Sequence, residues 1–368
     1  MDLRDELEAA LGELYSIETE LGGGGMSRVF LAKETALGRR VVVKVLPREL
    51  TGGVNVDRFR REIVLAAQLQ HPHIMTLLST GQVGGVPYYT MPYEEGRSLR
   101  SHLRERGPLP IGETVGILGD VAKALAYAHE RGVIHRDIKP DNVLLCGGAA
   151  VVSDFGIAKA VSDSKDGPPP PSVTGETLTQ IGMSIGTPTY MAPEQAAAEP
   201  DVDMRADIYA FGVTAYEMLA GRPPFCDLSP RKLLAAHLSQ PPEPIRARRP
   251  DTPAALADLV MRCLAKEPAD RPQKASDVVR VLEIVQAGEE RARASATRGS
   301  LGRGLALGFV AIIAVAIVAR AAIIAMGLPD WVLPVMLVAT VLVIVLLLGR
   351  ARGIARVATP FTPARRGE

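Results

Sequence analysis

Val133 to Leu145, reading VIHRDIKPDNVLL, sets a carboxylate, an ammonium and a carboxamide at fixed offsets just ahead of an apolar run. Asp137 offers a base. Lys139, two residues on, projects beside it from an extended loop as a cation for phosphate oxygens, and Asn142 offers a metal ligand. Twelve residues after Asn142, Asp154 stands in SDFGIAK behind a second apolar run, Ala149 to Val152. The two runs read as a β-hairpin carrying one metal ligand at each end. A lone HRD or DFG would be weak, but the two in this order and at this spacing are specific.

Together these residues resemble the catalytic and metal-binding loops of the eukaryotic-type protein kinases. The nearest pattern is that of the bacterial, membrane-anchored serine/threonine kinases of the Hanks type. The resemblance implies an α+β fold of two lobes, a small β-rich lobe with one helix (helix C) and a large, mainly helical lobe, with ATP and magnesium as cofactors. It gives Asp137 the proton of the acceptor hydroxyl, Lys139 the γ-phosphate, and Asn142 and Asp154 the magnesium. Lys139 also points to serine or threonine acceptors, because tyrosine kinases hold other residues there. His135 reads as a packed structural residue, not an acid or base.

Ahead of this core, Leu3, Leu7, Leu11 and Leu14 predict an amphipathic helix within residues 1–14 that packs on the domain. Tyr15 to Leu31 then gives two β-prone runs around glycines, a hairpin whose tip can bring backbone amides close to phosphates. The kinase pattern GxGxxGxV falls on Gly22, Gly24, Ser27 and Val29, with Ser27 in place of the third glycine. Leu21, Gly22, Gly23, Gly24, Gly25, Met26, Ser27 and Val29 are thus the expected nucleotide cover. Lys44 lies inside RRVVVKVL, a buried strand in which a lone charge is costly unless paired. The family supplies phosphates and a helix C glutamate, here Glu62, catalytic partners in the same site. Val42 would touch adenine. Met91 would be the gatekeeper, with the Pro92 carbonyl and the Glu94 amide bonding the base; proline is tolerable where only its C=O is used.

The resemblance divides residues 15–286 into an N-lobe (15–91), a hinge (92–95) and a C-lobe (96–286). Helices are expected over Ser98 to Arg106 and Ile111 to Arg131. Between Asp154 and Glu194 of the APE triplet lies an activation segment with a Ser, Gly and Pro-rich middle. Arg136, beside the catalytic aspartate, matches the cation that couples phosphorylation of that segment to its order. Candidate acceptors are Thr177, Thr179 and Ser184, with Thr179 favoured. Thr187 matches the threonine that bonds Asp137 and Lys139 and shapes the acceptor pocket. Asp207 would anchor the catalytic-loop backbone, and Arg271 would pair with Glu194 in a buried bridge.

Composition changes sharply near Gly288. From Glu289 onward ten arginines face four acids, giving +6, so with +1 overall the preceding part carries −5. The basic residues flank apolar runs and are not interleaved with aromatics, which speaks against nucleic-acid binding. Cys146, Cys226 and Cys263 are far apart and without metal-ligand spacing, as expected of thiols in a reducing compartment. The acidic, helical beginning carries no signal-peptide pattern.

After a charged linker at 287–303, residues 304–328 and 331–349 read as two transmembrane helices, and 350–368 as a basic tail. The apolar runs within them, Leu305 to Leu328 and Trp331 to Leu348, are ~36 and ~27 Å long at about 1.5 Å per residue, enough for a hydrocarbon core of about 30 Å. Arg320 counts against the first span, at roughly 2.5–3.5 kcal/mol on insertion scales. Topology favours both spans, since Arg291, Arg293, Arg298, Arg303, Arg350, Arg352 and Arg356 then all lie inside. The expected protein is a multi-pass kinase of a bacterial inner membrane, kinase domain and both termini cytoplasmic. It would act on protein substrates and touch the bilayer through its hairpin, which would either concentrate the kinase as a homodimer for phosphorylation in trans or sense something within the bilayer. A pseudokinase scaffold that binds nucleotide and partners is the alternative; a small-molecule phosphotransferase is disfavoured by Lys139 and Thr187.

Overall fold

A computed structural model of the chain describes residues 3–22, 27–46, 63–155, 188–291 and 317–318. It divides into two units, residues 1–289 and 290–368.

The small lobe is a five-stranded antiparallel sheet of β1 (Tyr15–Gly22), β2 (Arg28–Glu34), β3 (Arg40–Val45), β4 (Ser79–Val83) and β5 (Val86–Pro92), in the order β1-β2-β3-β5-β4. The hairpin between β4 and β5 turns at Gly84 and Gly85, both at positive φ, as a tight turn with right-handed strand twist requires. One sheet face buries Phe30, Val41, Val43 and Val45 with Leu7 and Leu11 of helix α1 (Leu3–Leu11). Each such leucine contributes roughly 1.5–3 kcal/mol. Leu14, expected on the same apolar face, is 58% exposed. The helix ends at Leu11 and the Leu14 amide closes a turn onto the Leu11 carbonyl, which takes Leu14 off the helical repeat. The other sheet face packs Leu46, Leu77 and Tyr89 against Ile63 and Ala66 of a helical stretch at residues 63–67.

The large lobe begins with β6 (Gly96–Ser98) and α2 (Leu99–Arg106), whose N-cap Ser98 accepts a hydrogen bond from the Ser101 amide at 3.2 Å. α3 (Ile111–His129) ends two residues before the expected Arg131. The hairpin β7 (Val143–Cys146) and β8 (Ala149–Val152) pairs with β6 in a small sheet. Then come α4 (Pro193–Ala196), α5 (Arg205–Ala220), α6 (Pro230–Ser239), α7 (Ile245–Arg248), α8 (Ala254–Cys263) and α9 (residues 275–291).

α5 is buried on all sides from Ala206 to Leu219, the pattern of a helix at the centre of a core. Gly212 permits the closest approach, since a Cβ there would lie 2.7 Å from the Cys263 Cβ of α8. α9 continues to Arg291, so the boundary expected after Gln286 lies inside a helix. Ala287, Glu289, Glu290 and Arg291 are helix formers whose combined preference carries it past Gly288.

Among the described residues no helix is long and apolar enough to cross a membrane. The runs at 304–328 and 331–349 and the tail at 350–368 lie outside those residues, save the helical pair 317–318.

Candidate active site

The loop that carries Asp137 is built from beneath by Asp207 on α5. Its fully buried carboxylate accepts the His135 amide at 2.8 Å and the Arg136 amide at 2.6 Å, and meets His129 Nε2 at 2.8 Å. Burial alone would raise the Asp207 carboxyl; the hydrogen bond and charge of His129 outweigh it and hold the group below its ordinary value. The two amide bonds keep Arg136 at φ 66°, a left-handed conformation that a side-chain-bearing residue adopts only under constraint. The Arg136 carbonyl in turn accepts Gln195 Nε2 at 3.1 Å, which ties α4 to the loop. The Arg136 guanidinium reaches the Val202 carbonyl at 3.3 Å, while its Nε is buried with no partner among the described residues.

His135 is buried with Nε2 2.7 Å from the Ser153 carbonyl and Nδ1 3.2 Å from the Asp137 amide. A neutral ring with its proton on Nε2 satisfies both contacts. Its edge meets the Phe155 ring at 4.7 Å between centroids, so it joins the two motif loops and is occupied structurally.

Above this floor the reactive groups converge. Lys139 Nζ donates to Asp137 Oδ2 at 2.7 Å, and Asn142 Nδ2 donates to the same oxygen at 3.0 Å and to the Asp137 carbonyl at 2.8 Å. A single turn of 3₁₀ helix, Pro140–Asn142, brings Asn142 back to the aspartate. With its nitrogen turned to Asp137, the amide directs Oδ1 the other way, an oxygen suited to a hard cation. No group of three or more His, Cys, Asp or Glu side chains forms a metal cage among the described residues. One carboxylate and one amide, completed by phosphates and water, is the donor set that magnesium takes at nucleotide sites. The site therefore fits the ion.

Asp154 also stands at φ 66°. Lys44 of β3 donates to its Oδ2 at 2.6 Å, and Tyr89 of β5 donates to its Oδ1 at 2.7 Å. Desolvation pushes this carboxyl up, but the Lys44 charge and hydrogen bond, then the Tyr89 hydrogen bond, bring it below its ordinary value. Next to this pair lies an apolar cluster of Val42, Met75 and Met91 with Val29, Tyr93, Leu144 and Val151, drawn from both lobes. Val42 and Met91, expected at the adenine and as gatekeeper, meet here with Val29 of the expected nucleotide cover, and Leu144 and Val151 join them from the hairpin. Pro92 ends β5 and Glu94 is exposed. Leu21 is exposed, Gly22 has φ 108° and Ser27 is buried.

Glu194 and Arg271 meet in a bidentate pair at 2.6 and 2.8 Å, both buried. Glu62, Gly23, Gly24, Gly25, Met26, Thr177, Thr179, Ser184 and Thr187 lie outside the described residues. Sequence reading missed two contributors. Tyr89 is one. The other is Arg100 of α2, which donates to Asp141 at 3.1 Å and Glu217 at 2.6 Å and also bonds Tyr190.

Residues 15–282 match the family model described as "Protein kinase domain". The chain is 39% identical over 285 residues to the serine/threonine-protein kinase PknB of Mycobacterium tuberculosis, covering 76% of this chain and 44% of that protein. It is 38% identical over 285 residues to the probable serine/threonine-protein kinase CE0033 of Corynebacterium efficiens, covering 75% and 42%. For the probable serine/threonine-protein kinase CA_C1728 of Clostridium acetobutylicum the figures are 35% over 278 residues, 75% and 40%. The chain thus matches less than half the length of these relatives.

Proposed function

This chain belongs to the protein kinase family, and from that premise we propose that it transfers the γ-phosphate of ATP to serine and threonine hydroxyls of proteins. One observation carries the reading: Asp137 shares its carboxylate with Lys139 and Asn142 on a loop fixed by Asp207, while Lys44 of the other lobe holds Asp154.

Asp137 orients the acceptor hydroxyl and takes its proton as that oxygen bonds the γ-phosphorus and the bond from the γ-phosphorus to the bridging oxygen breaks, releasing ADP. Lys139, 2.7 Å from that carboxylate, sits where it can follow the charge of the transferred group. Lys44 aligns the α- and β-phosphates, and Asn142 and Asp154 hold the metal. When bound, magnesium neutralises charge on the phosphates. The clustered Val42, Met91 and Leu144 exclude water from the base. The same groups argue against a scaffold without activity, since each charged residue the chemistry needs in the described part has its partner.

The outer parts of the reading are proposals of the same kind. Thr177, Thr179 and Ser184 are candidate sites of autophosphorylation that Arg136 would read. Residues 304–328 and 331–349 would form a hairpin in an inner membrane, with the kinase domain and both ends cytoplasmic, concentrating the kinase for phosphorylation in trans as a homodimer. Their apolar length and flanking arginines support this.

The test is full-length protein in lipid with Mg-ATP and a mixed serine, threonine and tyrosine peptide library, beside Asp137→Asn. Phosphoserine and phosphothreonine products from the parent, falling by about 10²–10⁴ in the variant, are expected. Nucleotide binding without transfer would return the scaffold reading. A deletion of residues 301–368 that leaves the protein in the membrane fraction would remove the hairpin's role.

A further inference from the structure

In the β3–β5 ladder Lys44 lies directly opposite Tyr89, so the two side chains leave the sheet on one face as neighbours. They reach the same carboxylate from one side, Lys44 at Oδ2 and Tyr89 at Oδ1. Strand register therefore builds a two-pronged holder, with one prong on each oxygen of Asp154. The lysine prong already has a role in the proposed chemistry; the tyrosine prong has none.

Nothing about the Tyr89 ring is loose. It is 1% exposed and packs with Leu46 and Leu77 of the small lobe and with Ile63 and Ala66 of the short helix. A ring fixed on all sides delivers its hydroxyl to one place. The phenol donates to Asp154 Oδ1 at 2.7 Å, the one role a hydroxyl can take towards a carboxylate. Asp154 needs such a restraint. It stands at positive φ at the end of a hairpin, and Lys44 is a flexible side chain that holds only one of its oxygens. With Lys44 and a longer contact from Ser153 Oγ at 3.4 Å on Oδ2, and Tyr89 on Oδ1, rotation about the side-chain bonds of Asp154 breaks at least one hydrogen bond.

We propose that Tyr89 is a positioning residue for the metal: its hydroxyl fixes the carboxylate of Asp154 in the orientation that receives magnesium with nucleotide. This rests on Asp154 being the magnesium ligand of the proposed kinase. A partner of this kind, one step removed from the ion, typically tunes metal affinity by about 10–100-fold.

The experiment compares the full-length parent with Tyr89→Phe, which keeps the ring and removes only the hydroxyl. Tyr88→Phe serves as the control for general loosening of β5. The readout is the affinity of a fluorescent, non-hydrolysable ATP analogue, measured in EDTA and across a magnesium titration, with peptide phosphorylation followed separately. Tyr89→Phe should raise the half-saturating magnesium about tenfold, leave the affinity in EDTA within about twofold, and leave Tyr88→Phe behaving as the parent.

Magnesium curves for Tyr89→Phe and the parent that superimpose would overturn the proposal while leaving phosphotransfer, and hence the kinase reading, intact. So would a parent whose analogue binding ignores magnesium. A parent that binds the analogue with magnesium but transfers no phosphate would remove the kinase reading instead, and the tenfold shift in Tyr89→Phe would still stand. An equal loss of affinity with and without magnesium would assign Tyr89 to packing alone and sink the idea.

Discussion

Arg271–Glu194 and Lys44–Asp154 are both short ion pairs between distant parts of the chain, and they are built for opposite purposes. Arg271 is buried and makes five hydrogen bonds, two to Glu194 and one each to the carbonyls of Ala265, Arg205 and Lys266. Its guanidinium has five N–H donors, so it is saturated. Lys44 retains 18% side-chain exposure and makes one side-chain hydrogen bond among the described residues. Its ammonium, with one of three donors engaged among the described residues, can donate to phosphate oxygens without first breaking the lobe. One pair locks; the other stays exchangeable.

The largest effects separate the two. Lys44→Met should lower phosphorylation by on the order of a hundredfold or more, as losing one preorganised cation at a developing charge does, while the thermal midpoint falls less than in Arg271→Ala because Tyr89 still donates to Asp154. Arg271→Ala should do the reverse kind of damage. It leaves the Glu194 carboxylate buried without its partner, at about 3–5 kcal/mol of stability, read as a lower midpoint in denaturant. Arg271→Lys should not rescue it, because three donors on a point charge cannot serve five acceptors arranged around a plane. A stable Arg271→Ala, or an unfolded Lys44→Met, would erase the distinction.

Acid should also find the two regions in a fixed order. Arg271 lies over the Tyr209 ring at 5.0 Å, and the Tyr209 hydroxyl meets His237 Nδ1 at 2.9 Å inside the same core. Burial first, then the Lys266 charge, lower His237 from 6.5 to about 4. Between those values the unfolded chain holds a proton that the folded chain does not. Stability is therefore fully present above about 6.5, falls as pH drops towards 4, and is flat below, by roughly 3 kcal/mol at about 1.4 kcal/mol per pH unit.

Asp154 behaves otherwise. Its folded carboxyl lies below the ordinary value, so its contribution is kept above that value and lost only as pH falls through the lower, folded one. Midpoints of the parent and His237→Gln from pH 7.5 to 4.5 should converge towards acid. Parallel curves would show that this core does not titrate.

Much of this site could be read in the chain because its chemistry is local. Asp137, Lys139 and Asn142 lie within six residues, and Lys44 stands out as a charge among valines. What could not be read depends on tertiary placement. Tyr89 meets Asp154 across 65 positions, and only knowledge of the β3–β5 register, Lys44 opposite Tyr89, would have suggested it. Arg100 meets Glu217 across 117 positions and offered no such sign. Leu14 failed for a different reason: the repeat of leucines was right, but the helix stopped at Leu11 before the last could use it. Periodicity states which face a helix buries and not where the helix ends.

The smallest expected effect isolates the cause of the contrast. Arg28 and Glu20 form a bidentate pair across the first hairpin, at 2.9 and 2.8 Å, through Nε and Nη2 where Arg271 grips Glu194 through Nη1 and Nη2. The larger difference is exposure: 36% and 37% of these side chains, against 0% and 6% for the buried pair. In water the ions are already solvated and the attraction is screened, so the pair is worth at most about 1 kcal/mol. Glu20→Gln, which keeps the shape and removes the charge, should shift the midpoint by no more than that, and less in added salt. A loss as large as that of Arg271→Ala would mean that pairing geometry, and not burial, sets the strength of these bridges. The division into a locked pair and an exchangeable one would then rest on the wrong variable.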